Sequence, residues 1–242
     1  DGVAVDDARI CAAFARIEAA RHNTALTYFE FGTLAALSIF ADAALDVVVL
    51  EVGLGGRLDA VNIVDADVAL IAAIGLDHED WLGNTRELIG REKAGIMRAG
   101  RVAVCSDAEA PHTIQDHARE LGAPLALLGV DFAFDDEGED WTWWSGEQVL
   151  AHLPYPALPG AHQLRNAAGV LMAVHALAPR LPVDAAQIAA ALSGLELPGR
   201  FQRVARRHAI PAEDAMDLLR GFEMDVEGRR YDTLADTMDY AY

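Results

Sequence analysis

The 242-residue chain carries 38 acidic against 19 basic residues, a formal net charge of -19, which excludes nucleic acid and anionic membrane as partners because both demand basic patches. It is 52% hydrophobic but only 7% aromatic, so its core is built mostly from Ala, Val, Leu and Ile. Two cysteines, Cys11 and Cys105, give neither a disulfide framework nor a metal-ligand spacing, and the expectation is a reducing, cytoplasmic setting.

In chain order, Ile10, Phe14 and Ile17 recur at helical spacing and predict a first helix over Asp6 to Arg21. Thr27 can cap a second helix from Tyr28 to about Ala44. The apolar run Phe29 to Leu50 is broken by Glu30, Asp42 and Asp46, so it does not read as a membrane span, and no signal peptide is visible. Asp46 to Glu51 and Val68 to Ile74 read as buried parallel strands on either side of the glycine-rich Gly53 to Asp59 stretch. A third helix is predicted over Thr85 to Met97, followed by strands at Val102 to Cys105 and Pro124 to Leu128 with a helix from Pro111 to Leu121 between them. This alternation predicts an α/β layer architecture with a mainly parallel sheet flanked by helices. From Phe132 to Leu153 the pattern shifts to short alternating segments with Asp-Gly and Ser-Gly turns, an antiparallel region whose Trp141, Trp143 and Trp144 are read as packing residues, not a ligand cage. Helices over His162 to Ala178 and Ala185 to Leu192 follow.

Among the 19 basic residues Lys93 is the one lysine. Arginine supplies a permanent charge, whereas an amine can lose its proton and act as a nucleophile or be modified, so this position is a candidate for chemistry. Parallel sheets bind ligands beyond the carboxyl ends of their strands, where Glu51 and His78 are expected. Either alone could be a strand-end cap or a loop histidine. Together with the glycine-rich stretch and Lys93 they point to a divalent cation held by carboxylate and imidazole, with water and phosphate oxygens completing an Mg²⁺ shell.

Three blocks in order, Glu51-Val-Gly-Leu-Gly-Gly-Arg-Leu-Asp-Ala-Val-Asn62, Ile74-Gly-Leu-Asp-His78 with Leu82-Gly-Asn-Thr-Arg-Glu87, and Arg91-Glu-Lys-Ala-Gly-Ile96, closely resemble the folylpolyglutamate synthase and dihydrofolate synthase family of the Mur ligase group. Pro159-Gly-Ala-His-Gln-Leu-Arg-Asn-Ala167 and Leu197-Pro-Gly-Arg-Phe-Gln202 agree with it as well, so the resemblance covers residues 1–203. It implies a Mur ligase central domain and a monomeric, cytoplasmic enzyme that uses ATP and Mg²⁺ to join glutamate to a pteroate or folate carboxylate through an acyl phosphate. By matched motif it implies Glu51 and His78 as metal ligands and Lys93 as a lysine carbamylated to give an oxygen ligand. It further implies Asn166 near the adenine end and Arg200 on the ATP phosphates. Thr27 and Phe29 match the folate-side wall, although a helix cap and a core aromatic explain them equally well. Asp59 and Asn62 are expected to shape the loop, and Val61 stands where the family has threonine.

Two departures accompany this. The family's phosphate loop, a glycine-rich turn ending in Gly-Lys and Ser or Thr, is expected roughly fifty residues before Tyr28 and is not in this sequence, so the chain reads as a fragment without ligase activity of its own. After Gln202, Arg207 to Pro211 and Leu218 to Tyr242, with the string Met224-Asp-Val-Glu-Gly-Arg-Arg-Tyr-Asp-Thr-Leu234, resemble a piece of phytoene and squalene synthases. This second resemblance implies a helical tail over residues 204–242. It opens two other readings, a head-to-head prenyl diphosphate synthase or a non-catalytic chimeric fragment. The tail has neither Asp-rich magnesium motif of that family, and Arg229, Arg230 and Tyr242 are expected to be solvated in it.

Overall fold

The computed structural model describes residues 3–158, 160, 162–197, 224–226 and 229–231. Its first compact unit comprises residues 1–156 and 161–193. Three short strands, β1 (Val68–Ile71), β2 (Val102–Cys105) and β3 (Leu125–Leu127), form a parallel sheet in sequential order, paired Val68 with Val102 through Ile71 with Cys105 and Ala103 with Leu125 through Cys105 with Leu127. Parallel neighbours need crossovers, which are supplied by α3 (Glu79–Leu82) with α4 (Arg86–Ala94), and by α5 (His112–Leu121).

Alternation along these strands divides two apolar layers. Ala69, Ile71, Ala103 and Cys105 face one cluster with Ile89 and Ala94 of α4 and Ile114 and Ala118 of α5. Val104 and Ala126 face the other, with Leu164, Ala168, Leu171 and Met172 of α6 (His162–Leu177) and Ile188 of α7 (Ala185–Ser193). The sheet is therefore covered on both faces, the arrangement expected of an all-parallel sheet.

A second sheet is antiparallel, β4 (Phe132–Asp136), β5 (Trp141–Ser145) and β6 (Gln148–Leu153), with a register shift between Trp141 and Trp143. Trp141 and Trp143 are fully buried, and each finds an acceptor for its indole N–H, Pro154 O at 2.9 Å and Ala168 O at 3.2 Å. They are packing residues, as the alternation predicts. At the start of the chain α1 (Asp7–Arg21) and α2 (Tyr28–Ala43) pair through Ala13, Ile17 and Ala35, with Phe14 edge-on to Phe31 at 5.3 Å.

One expected strand is not formed. Asp46 to Glu51 has no ladder among the described residues, and Val47, Val48 and Val49 are 50%, 43% and 86% exposed. The apolar pattern reports a tendency to be buried, whereas a strand also needs a neighbouring backbone to pair with, and among the described residues none pairs with this segment.

The second unit comprises residues 157–160 and 194–242. Where the tail resemblance implies helix, the six described tail residues are extended instead. Met224–Val226 (β7) pairs antiparallel with Arg229–Tyr231 (β8). The rest of the predicted helical tail, including Tyr242, lies outside the described residues.

Candidate active site

The site is assembled around α4. Thr85 caps this helix, its hydroxyl accepting from Leu88 N at 3.2 Å, and Gly95 ends it. Lys93 lies in the last turn, half-buried, and among the described residues it makes no ion pair.

The glycine-rich stretch docks on this same helix end. Arg57 N–H donates to Glu92 O at 2.9 Å, and the Arg57 guanidinium meets the Glu92 carboxylate at 3.1 Å. A β-carbon on Gly56 would lie 2.9 Å from Glu92 O and 3.1 Å from Lys93 O, and one on Gly95 would lie 2.4 Å from Arg57 Cβ. Glycine is needed here because two backbones approach closer than any side chain allows. Asp59 gathers the loop, Oδ2 accepting from Gly53 N at 2.9 Å and Leu54 N at 3.1 Å while Oδ1 takes Val61 N at 2.9 Å. Asn62 ties it to the helix end by donating to Arg57 O and Gly95 O, both at 3.1 Å, and Arg98 clasps Asn62 O at 2.6 Å.

Glu51 stands exposed two residues before this loop, on the unpaired 46–51 segment and not on a strand end. His78 lies on the connection from β1 to α4, in the left-handed region (φ 52°), with its side chain 56% exposed and Nε2 3.6 Å from Asp77 Oδ2. Its segment is carried toward α4 by α3, whose terminal Gly83 lies against Leu88. Glu51 lies on the segment that enters the glycine loop, His78 on the connection from β1 to α4 and Lys93 in the last turn of α4; among the described residues no side-chain hydrogen bond or ion pair joins them. A carboxylate oxygen and an imidazole are a donor pair that suits Mg²⁺ or Mn²⁺, with the remaining positions filled by water and phosphate.

Thr27 forms a full capping box: its hydroxyl accepts from Glu30 N at 3.2 Å, and Glu30 Oε2 accepts from Thr27 N at 2.7 Å. Phe29 is about half exposed, and its ring edge would meet a β-carbon on Gly53 at 2.9 Å, so it forms a wall of the glycine loop and is not a core aromatic. Asn166 is on α6, its amide donating to Gln163 Oε1 at 3.3 Å, away from α4 in the chain. Arg200 lies outside the described residues.

Sequence reasoning missed Asp107 and Arg86. Asp107 follows β2 by two residues and is 6% exposed; burial disfavours its charge, but Ile74 N–H, Glu109 N–H and Arg86 outweigh that and hold its carboxyl below the ordinary value. The rule that singled out Glu51, an acid just past a strand, would have found it. Another cluster, Glu137, Asp140 and His152, lies at the β4–β5 turn and on β6, with ligand atoms within 4.8 Å; His152 Nδ1 donates to Asp140 Oδ2 at 2.8 Å.

A parallel sheet covered by helices on both faces is the α/β arrangement that the resemblance to a Mur ligase central domain implies. The chain is 50% identical over 193 residues to the dihydrofolate synthase/folylpolyglutamate synthase of Escherichia coli K12, covering 80% of this chain and 44% of that protein. It is 34% identical to a probable bifunctional folylpolyglutamate synthase/dihydropteroate synthase of Halobacterium salinarum, covering 76% of this chain and 23% of that one. Among solved structures, E. coli FolC in complex with DHPP and ADP superposes with a TM-score of 0.79 at 48% identity, covering 84% of this chain and 48% of that one. The Yersinia pestis bifunctional synthase complexed with AMPPNP and Mn ion gives 0.78 at 50% identity, with the same coverage. Over these residues the chain is homologous to the dihydrofolate synthase/folylpolyglutamate synthases and has their fold, and it spans less than half the length of the E. coli relative. A squalene/phytoene synthase family model matches residues 196–242. No helix among the described residues is long and apolar enough to cross a membrane.

Proposed function

We propose that residues 1–203 are the metal- and nucleotide-facing part of an ATP-dependent ligase that adds glutamate to dihydropteroate or folate through an acyl phosphate. The observation that carries this reading is the docking of the Gly53–Arg57 loop on the Glu92 and Lys93 carbonyls, which sets the glycine loop against the helix turn that bears the one lysine. Glu51 and His78 would hold Mg²⁺, which supplies charge neutralisation on the phosphate oxygens when bound. Lys93, once carbamylated, would add an oxygen ligand that arginine cannot provide. Asn166 and Arg200 would contact ATP, and Phe29, with Thr27 behind its cap, would wall the pteridine side. Relatives of known structure were solved with ADP and with AMPPNP and Mn ion, which supports ATP and a divalent cation as cofactors.

The acidic charge of -19 supports a protein that works away from nucleic acid and anionic membrane, and the family resemblance supports a cytoplasmic monomer acting on small-molecule substrates. Residues 204–242 are read as a separate segment; the family match there supports kinship with prenyl diphosphate synthases, while the metal-site candidates all lie before it.

A segment swap tests the reading. Residues 1–203 replace the matching stretch of the E. coli relative, and glutamate-dependent ligation to dihydropteroate is assayed with Mg·ATP. The swap is expected to ligate, and its Lys93→Arg variant to lose at least about a hundredfold in kcat, the scale of removing a group that stabilises transition-state charge. A folded swap that binds ATP and does not ligate, or an undiminished Lys93→Arg, would refute it.

A further inference from the structure

We propose that Arg86 and Asp107 are positioning residues that lock the Ile74–His78 segment and the first turn of α4 to the carboxyl end of β2, and so set where His78 stands relative to Lys93. The clamp itself rests on the geometry below; its bearing on catalysis rests on the ligase reading.

The β1–β2 ladder ends at Ile71 with Cys105, followed by Ser106 N–H donating to Ile71 O at 2.9 Å. Beyond that point the backbones of the two segments no longer pair among the described residues. Side chains replace the missing ladder. Asp107 Oδ2 accepts from Ile74 N–H at 2.7 Å, and Arg86 Nε donates to Ile74 O at 2.9 Å, so both backbone groups of one residue are held. Arg86 Nη2 in turn donates to Asp107 Oδ2 at 2.8 Å and to Glu109 O at 3.1 Å, while Asp107 Oδ1 accepts from Glu109 N–H at 2.9 Å.

Three segments therefore meet in one network: the chain leaving β1, the chain leaving β2 and the start of α4. The ion pair is not a surface decoration, because the Asp107 side chain is 7% exposed and Arg86 is 36% exposed. Only a planar fork can address Ile74 O, Glu109 O and a carboxylate at once, which a lysine ammonium cannot do with the same directions. The consequences run toward the site in both directions. His78 follows Ile74 by four residues, and its own backbone N–H is engaged only by the neighbouring Asp77 at 2.7 Å. Arg86 and Lys93 are seven apart on α4, two turns, and so lie on one helix face. Fixing Arg86 fixes the azimuth of Lys93, and fixing Ile74 fixes the root of the His78 turn.

The test uses the full 242-residue chain with Asp107→Asn and Arg86→Lys. Amide hydrogen exchange is followed at Ile74 and, as the core reference, at Val104. In parallel, Lys93 is reductively ¹³C-methylated and its resonance followed as Mn²⁺ is added. Exchange at Ile74 is expected to rise about tenfold or more in both variants with Val104 within about twofold, the mark of local rather than global opening. Mn²⁺ broadening of the Lys93 signal is expected to weaken in both, Arg86→Lys failing to rescue despite its charge. Unchanged exchange at Ile74, or an equal rise at Ile74 and Val104, would overturn the clamp, as would full rescue by lysine. Should wild-type Lys93 show no Mn²⁺ effect while Ile74 loses protection selectively in the variants, the clamp stands and the metal-site reading falls.

Discussion

The antiparallel sheet and the segments around α4 are held by different physics. The antiparallel sheet is anchored by Trp141, Trp143 and Phe132, all nearly or fully buried, with each indole N–H satisfied by one carbonyl. Around α4, by contrast, the segments bearing Glu51, His78 and Lys93 are held by polar clamps: Arg57 with Glu92, Asp59 with the Gly53 and Leu54 amides, Arg98 with Asn62, and Arg86 with Asp107. Apolar packing fixes a core without directing any group at a ligand. Directional hydrogen bonds fix the aim of backbone segments that must stay at the surface, where function requires them.

Breaking the apolar anchor should have the largest effect. Trp143→Ala is expected to cost about 3–5 kcal/mol in denaturant unfolding, the range for deleting a buried aromatic, while leaving the ¹³C-methyl resonance of Lys93 in place below the transition. Gly95→Ala should cost less, about 1–3 kcal/mol by overpacking against Arg57, yet shift the Lys93 resonance markedly because the loop must lift off the helix end. Equal movement of that resonance in both variants would erase the distinction drawn here.

Acid should act on the polar side. Asp107, despite its burial, is held below its ordinary pKa by Ile74, Glu109 and Arg86, and Glu87 is lowered chiefly by the Thr113 amide. For depressed carboxyls the contribution is complete above the unfolded values of about 4 and is lost as pH falls through the lower folded values. Ile74 protection should therefore decline from about pH 4 downward. His152 runs the other way: Asp140 raises its pKa, so its small exposed contribution is present below about pH 6.5 and lost as pH rises through the higher folded value. The smallest effect is expected for Arg57→Ala, below about 1 kcal/mol, since its pair with Glu92 is half exposed.

Much of this was legible in the sequence. Hydrophobic periodicity placed the helices: α1, α2, α5 and α6 each begin and end within a residue or so of the bounds read from the sequence. The all-parallel sheet followed from alternation of strands and helices, and the glycine loop from its spacing. Three things were not legible. Val47 to Val49 have the composition of a buried strand, but pairing depends on a neighbour that composition does not reveal. The six described tail residues pair as strands where a family likeness implied helix. The Arg86–Asp107 clamp joins residues 21 apart in sequence, and no local pattern announces that a carboxylate will take up Ile74's amide. Of the candidate site, the residue types were readable, whereas the docking of the glycine loop on the last turn of α4 was not.

The central claim is that Glu51, His78 and Lys93 serve one divalent cation, and the single lysine makes it directly measurable. Mn²⁺ is titrated into the ¹³C-methylated chain while the Lys93 resonance is observed beside that of the terminal amine, in wild type, Glu51→Gln and His78→Ala. The account predicts selective broadening of Lys93 in the wild type and its loss in both variants. Broadening that survives both substitutions, or that is abolished only by His152→Ala at the Glu137–Asp140 cluster, would contradict it.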